Sequence, residues 1–582
     1  MQTATSNKKI RDKHDSVPSW VKSLGEKWWN SHCHLVTDTL EHMREGKHWQ
    51  PFSDSLEKLL AEDRQIAKDQ LEELTGKYFF SHGWGHELTI KRWFEPEKSP
   101  YGKKLGIKYP IFDPNELCEN AITSMHSWKQ VSKEYRAGIL LEALVRLNEQ
   151  SSLLAEAGIH TSGHSYLMGF HANAVHAQYR GIEAVTRVFE DITNHTRVSD
   201  WDISIGDGPK MGFHRAFERQ PVGINLVICG KICPTWSSYA AVFSSLMAGN
   251  PVIVKPHPEA TLPMALTVKV LKYVMEEAGL DPSLVSMLSD DLSGKITREL
   301  AVDPRVKIID YTGRNTMANW LVNNAQHARL FIQSGGVTPV VLDSTSDFQG
   351  MIRNLSFGFC SYSSQLCTSP RALFIPNEGV STPERNYSFE EVINAIKQDM
   401  VELIQEYPNP SDILGAVYDE SVIDSIEKAN AKHLGKVLRL GEKQVNPDFP
   451  TAEVWSPVIV LADESLDYRS IPPTGPIILV FKVDSKLDVG KEIQALASQA
   501  GCLSIGLYSY DESLREQVSM CAGEMGAVLS IGFVGNYFLS QSEVFTDCHG
   551  SNLVNASYGI GYSEQNFYTS RMRTAELREQ VY

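Results

Sequence analysis

Several absences narrow the field before any motif is read. No run approaches the roughly 20 apolar residues that a membrane span requires. The polar, Lys-containing stretch Met1 to Asp15 lacks the apolar core of a secretory signal. The expectation is therefore a cytoplasmic protein with no membrane partner. Positive charge is in deficit: 55 Lys and Arg against 71 Asp and Glu leave a formal charge of -16. Such a field repels nucleic acid and anionic lipid, which leaves small molecules as the expected ligands. Cysteine is sparse, odd in number (nine) and scattered over 582 residues, which fits a reducing compartment and not a disulfide framework. No internal repeat, low-complexity segment or GxGxxG run is present. His160 and His164 have metal-ligand spacing without an intervening Glu or a third ligand, and His32-Cys33-His34 has no partner CxxC, so no metal is expected. Ser244-Ser245 and His549 form no recognisable triad.

What is present is enough apolar material, 42% of the chain, to bury two or three structural lobes. Residues up to about 18 read as disordered. Trp20 to Leu74 reads as amphipathic helices, and Glu97 to Pro114, rich in Pro, Gly and Lys, as an irregular wrapping segment. Helical patterning then runs over Ala121 to Gln150, Ser152 to Ala157 and from His176 to Ile192. Val198 to Phe213 suits a hairpin with Asp207-Gly208 at its turn. Beyond Pro221 strands and helices alternate: Val222 to Ile228, Ser238 to Met247, Val252 to Val254, Ala265 to Ala278, Val285 to Leu288 and Val306 to Tyr311. This alternation predicts right-handed crossovers and a parallel sheet. A second α/β unit follows from Thr338 and includes Val340 to Leu342, Phe348 to Phe359, Ala372 to Ile375 and Ile477 to Val483.

One thiol stands apart. Cys367 follows Gln365-Leu366, precedes Arg371 and lies behind a Ser334-Gly335-Gly336 turn, a setting in which a thiolate can be held still and exposed as a nucleophile. Upstream, Thr312-Gly313 opens a helix near Met317 to Asn324, where backbone N–H groups suit a pyrophosphate. Cys229 and Cys233 share the loop that faces this region, so a redox pair is a further reading of them, set against the rarity of cytosolic disulfides.

The order of these signals resembles the aldehyde dehydrogenase superfamily over about Glu119 to Tyr568. More narrowly, the chain looks like the PaaN family of phenylacetic acid degradation proteins. That match rests on Ser99-Pro100-Tyr101-Gly102, on His176-Ala177-Gln178 with Arg180 to Val185, on Pro234-Thr235-Trp236 and on Val254-Lys255-Pro256-His257-Pro258. Asp310-Tyr311-Thr312-Gly313, Tyr362 to Thr368 and Asp547-Cys548-His549-Gly550 extend it. The resemblance implies an α/β, aldehyde dehydrogenase-like fold: two parallel-sheet α/β lobes with a bridging oligomerisation hairpin. It divides the chain into an N-terminal extension (1–118), a nucleotide-binding lobe (119–335, hairpin about 196–216), a catalytic lobe (336–540) and a tail (541–582) that makes a homodimer. It implies oxidation of an aldehyde or semialdehyde, in the PaaN case a ring-opened CoA thioester, with NADP or NAD. Cys367 carries over as nucleophile, and Lys255, Pro234, Trp236, Thr312 and Gly313 as the cofactor-binding set, with the Lys255 ammonium reaching the adenosine ribose or phosphate.

Four positions depart from the superfamily pattern. Ile232 stands where an Asn amide usually stabilises the oxyanion; losing one such donor can cost roughly 100- to 1000-fold in rate. Gln333 stands at the catalytic position of the Glu that activates hydrolytic water, and an amide is no general base. Pro472 stands where many members place a Glu on the nicotinamide ribose, and Pro258 where NAD-preferring members place an acid, which leaves NADP open beside NAD. Three readings follow: a dehydrogenase, a CoA-acylating variant, and a catalytically impaired ligand-binding or scaffold member.

Overall fold

The computed structural model describes residues 19–56, 61–79, 88–195, 197–204, 206–208, 210–463, 466–472, 474–484, 489–538, 548–549, 560–561 and 565–581. The segment 1–18, read as disordered, and the Asp547 and Gly550 of the tail motif lie outside the described residues.

Strands β1 (Ile90–Phe94) and β2 (Tyr109–Phe112) pair antiparallel. This corrects the irregular reading of Glu97 to Pro114. All four β2 residues are buried, but their partner lies upstream across a Pro- and Gly-rich stretch, so the pairing leaves no local periodicity. The helical pattern from Ala121 to Gln150 also divides, into Pro114–Trp128 and Lys133–Glu149. Ser132 caps the second helix by accepting from the Tyr135 amide, the competition between side chain and ladder that makes Ser favoured at helix starts.

A long antiparallel hairpin follows, β3 (Arg197–Ser204) and β4 (Lys210–Pro221), and β4 runs on into β5 (Ile224–Ile228). With β6 (Val252–Lys255), β7 (Val285–Met287), β8 (Val306–Gly313) and β9 (Arg329–Ser334), β5 forms a five-stranded sheet in the order β7-β6-β5-β8-β9. Every neighbouring pair is parallel. Both faces are covered, so β5 and β6 are buried at every position; this is why they read as continuous apolar runs and not as alternation.

The second lobe is a seven-stranded sheet of β10 (Thr338–Leu342), β11 (Pro370–Pro376), β12 (Gly435–Arg439), β13 (Val458–Ala462), β14 (Ile477–Val483), β15 (Ser504–Tyr508) and β16 (Val528–Ile531). Its order is β12-β13-β14-β11-β10-β15-β16, parallel except for the antiparallel edge strand β12. Near the C-terminus β17 (Met572–Gln580) returns to pair antiparallel along β4, making a three-stranded sheet β17-β4-β3.

That return is fixed by a buried ion pair. The Arg571 side chain is fully buried and donates through both terminal nitrogens to Asp310 on β8, at 2.7 and 2.8 Å. The same guanidinium donates to Ser245 Oγ at 2.8 Å, Asn225 donates to Asp310 at 2.9 Å, and Asn250 donates to the Arg571 carbonyl at 2.9 Å. The rings of Phe331 and Phe567 lie beneath the guanidinium, 4.8 and 4.2 Å from its carbon. Removing one partner of such a pair strands a charge in a low-dielectric interior. Asp310→Ala is therefore expected to lower unfolding free energy by about 3–5 kcal/mol, measured by urea titration. A double replacement, Asp310→Leu with Arg571→Met, is expected to recover most of it.

Candidate functional site

The C-terminal ends of β5, β6, β8 and β9 open onto one cleft of about 1610 Å³ that runs between the two sheets, the place where open parallel sheets bind ligands. Lys255, Trp236, Thr312, Gly313, Gln333 and Cys367 all line it. Residues spread over more than a hundred positions of sequence thus meet in one space. Pro234 does not join them: it is buried beside the wall and shapes the entry to helix Trp236–Met247. There the Thr235 hydroxyl binds Asn173 through its carbonyl and its side-chain oxygen, both at 2.7 Å.

At one end of the cleft, Lys255 closes β6 with only 6% of its surface exposed. Burial pulls its pKa down, opposed by Asp290, Cys229 and Asp291. Among the described residues its ammonium has neither a hydrogen bond nor an ion pair, the condition of a buried cation awaiting an anionic or hydroxyl partner. Thr312 and Gly313 end β8 immediately before helix Asn315–Asn324. The Thr312 hydroxyl donates to Gln333 Oε1 at 3.1 Å.

At the other end, Cys367 is half-buried in the cleft wall. It is delivered by a turn of unusual backbone: Tyr362, Ser363 and Ser364 have φ of 52°, 48° and 51°. Three consecutive non-glycine residues in the left-handed region cost roughly 1–3 kcal/mol each, and persist only where surroundings over-determine them. Those surroundings are visible. Ser363 Oγ donates to the carbonyls of Leu414 at 2.9 Å and Trp455 at 2.8 Å, and Ser364 Oγ to that of Phe359 at 2.8 Å. The Tyr362 hydroxyl donates to the Ser162 carbonyl. Gln365, fully buried, donates to the carbonyls of Tyr362 and Ala416 and accepts from the Tyr418 amide, each at 3.1 Å. Backbone contact across the lobes is equally close. Gly163 has φ of 77°, and a Cβ there would lie 2.3 Å from the Ala416 carbonyl oxygen, so only glycine fits.

The loop Cys229 to Cys233 forms part of the same wall. Ser162 Oγ donates to the Lys231 carbonyl at 2.6 Å, and His164 Nε2 bonds the Ile232 carbonyl at 2.5 Å. A carbonyl only accepts, so the Nε2 proton is fixed, and burial holds the ring neutral by pushing its pKa down to about 4. Lys231 bridges the lobes, donating to Glu259 at 2.6 Å and to the Tyr418 carbonyl at 2.5 Å. Cys229 and Cys233 are both thiols. Burial pushes Cys229 up to about 12; Cys233 is raised by burial and then by the neighbouring Cys367. Buried Arg371 donates to the Pro472 carbonyl at 2.5 Å and that of Gly336 at 3.0 Å. The paired histidines hold no common ligand: His160 bonds Ser99 Oγ at 3.0 Å while His164 serves the loop. His32 faces Glu142, and among the described residues no cluster could hold a metal. Sequence reasoning missed Ser162, Lys231, Tyr418 and the loop-holding role of His164, because each acts across the fold and none sits in a local motif.

Residues 112–528 match the model of the Aldehyde dehydrogenase family. The chain is 23% identical over 316 residues to aldehyde dehydrogenase family 3 member H1 of Arabidopsis thaliana, covering 53% of this chain and 60% of that protein. It is 23% identical over 350 residues to the succinate-semialdehyde dehydrogenase [NADP(+)] of Saccharomyces cerevisiae, covering 57% and 62%. Each alignment thus spans under two thirds of the relative. The crystal structure of an NAD-dependent aldehyde dehydrogenase from Burkholderia multivorans superposes with a TM-score of 0.88 at 29% identity, over 95% of this chain and 99% of that one.

Two outcomes follow from this geometry. Ser363→Ala leaves two buried carbonyls short of a donor and is expected to cost about 1–3 kcal/mol and to change the rate at which a thiol reagent labels Cys367. Stability is also expected to fall on acidification. His164 titrates near 4, while burial holds His160 and His257 down to about 3. Below pH ~6.5 the unfolded chain binds protons that these folded rings refuse, so stability is complete above that pH and erodes toward pH 4, with His164 alone worth about 3 kcal/mol. Urea midpoints between pH 7.5 and 4 check this, and His164→Gln should flatten the slope.

Proposed function

The chain belongs to the aldehyde dehydrogenase family, and from that premise we propose that it is an NAD(P)-linked oxidoreductase that takes an aldehyde at Cys367. The observation that carries this reading is the single cleft shared by Cys367, Lys255 and the Thr312–Gly313 turn. A dinucleotide fits the Lys255 end: a buried ammonium without a partner among the described residues stands at the C-terminal edge of a parallel sheet, beside a helix start. Lys255, Thr312, Gly313 and Trp236 would hold it, and NAD or NADP, when bound, supplies the hydride acceptor.

The chain's own part begins with the Cys367 thiolate. Its sulfur bonds to the aldehyde carbon, and the carbonyl oxygen takes up the negative charge. Ile232 brings no side-chain donor to that oxygen. Ser162 and His164 hold the carbonyls of Lys231 and Ile232 toward helix Ser151–Ser162. In trans peptides this turns the amides of Ile232 and Cys233 the opposite way, so backbone N–H groups supply the oxyanion donors in place of the missing amide. Loss of hydride from the same carbon leaves a thioester on Cys367.

Gln333 favours a second reading for the last step. No base at that position activates water, so the acyl group waits for a better nucleophile. A CoA thiol adds to the thioester carbon, the bond to Cys367 breaks, and acyl-CoA leaves with the cysteine restored. The quoted motifs support a semialdehyde from phenylacetate-type aromatic acid breakdown as substrate, and the sheet β17-β4-β3 is the surface expected to form a homodimer. The scaffold reading rests on Ile232, Gln333 and Pro472; the convergence of Cys367 and Lys255 speaks against it.

Cys367→Ala is expected to reduce NAD(P)H formation from an aldehyde panel by at least about 1000-fold. Gln333→Glu is expected to raise turnover without CoA by about 10- to 100-fold. Full activity in Cys367→Ala would sink the nucleophile assignment, and a wild type that neither binds cofactor nor forms NAD(P)H would favour the scaffold reading.

A further inference from the structure

The adenosine end of the cleft lacks an acid at Pro258, the position from which superfamily members that prefer NAD bind a ribose hydroxyl. Two other acids lie close enough to Lys255 to stabilise its charge, Asp290 and Asp291. Asp290 is buried and committed to the loop. It accepts from the Asp291 amide at 2.8 Å, and from the Thr297 amide and hydroxyl at 2.8 and 2.7 Å. Asp291 is only half-buried and lines the cleft. One of its oxygens accepts from the amide (3.0 Å) and hydroxyl of Ser293. The other accepts from Arg92 at 3.1 Å. A carboxylate has about four acceptor sites, so capacity remains for a ligand hydroxyl.

Arg92 belongs to β1, in the N-terminal extension that carried no chemical assignment from sequence. We propose that Asp291, held by Arg92, sets the preference of this cleft for NAD over NADP by accepting the 2′-hydroxyl of the adenosine ribose. The inference rests on the reading that the Lys255 end takes a dinucleotide. The charge balance supports it. Lys255 and Arg92 offset Asp290 and Asp291, so no net positive charge is left among these four groups for a 2′-phosphate, whose two negative charges would meet the Asp291 carboxylate directly. A hydroxyl meets the same carboxylate as a donor. Another cation lining the cleft, Arg298, is exposed and lies over the Trp320 ring at 5.6 Å.

Calorimetry with NAD and NADP on the full chain tests this without turnover. Wild type is expected to bind NAD at least about 10-fold more tightly than NADP. Asp291→Asn keeps an acceptor and removes the charge, so NAD binding should persist while the ratio narrows by about 10-fold or more. Asp291→Ser also releases Arg92 and should gain NADP affinity, a gain that adding Arg92→Ala removes. A wild type that binds NADP as tightly as NAD, or a ratio unchanged in both Asp291 variants, overturns the assignment while leaving the dehydrogenase reading intact. Failure of wild type to bind either nucleotide overturns both.

Discussion

The arrangement on which the site depends is the left-handed turn Tyr362–Ser364. A backbone that three non-glycine residues resist is held because each of its side chains donates to a carbonyl outside the turn, those of Ser162, Leu414, Trp455 and Phe359, and Gln365 directly after it bonds Ala416 and Tyr418. Those partners come from both lobes, so the position of Cys367 reports on the seating of one lobe against the other. The glycines that permit the close approach, Gly163 and Gly415, sit at the same junction: the Ala416 amide donates to the Gly163 carbonyl at 2.7 Å. Strain of this kind persists only where the surroundings over-determine it, and here it fixes the backbone that leads to Cys367.

Charge is placed with similar economy. Several cations around the cleft are already bonded: Lys231 to Glu259, Arg314 to Asp419 at 3.0 Å, and Arg371 to two carbonyls. Lys255 differs from these in being buried with no direct partner among the described residues. A cation that has lost most of its hydration and has no counter-ion within bonding distance is costly, which is the physical reason to regard it as a ligand-binding group. The far tail is fastened to the same strand, since Asp310 on β8 holds Arg571 while Thr312 and Gly313, two and three residues on, line the cleft. The β17-β4-β3 sheet is therefore tied to the strand whose end, Thr312–Gly313, lines the cleft.

Much of this was legible in one dimension. Strands buried on both faces, such as Ile224–Ile228 and Val252–Lys255, appear as largely apolar runs whatever surrounds them, and the strand-helix alternation implied right-handed crossovers and a parallel sheet. Cys367, Lys255, Thr312, Gly313 and Gln333 stand in local contexts that mark them, and the cleft brings them together. Less was legible wherever a partner is distant. The pairing of β1 with β2 crosses a stretch whose composition argues for irregular structure, and the break before Ser132 depends on a cap that a periodic helical pattern hides. Pro234 carried a recognisable motif position, yet sits behind the wall and not on it.

The sequence by itself determined the class of fold and singled out Cys367 among the thiols, because hydrophobic periodicity and residue type are local properties. It also exposed the departures at Ile232, Gln333 and Pro472, since a side chain either has a donor or a base or it does not. Only the tertiary structure decided which carbonyls Ser162 and His164 restrain, which acids lie near Lys255, and that Arg92 from β1 reaches one of them. These are contacts between residues dozens to hundreds of positions apart. Their free energies depend on distance and burial, quantities that exist only once the chain has folded.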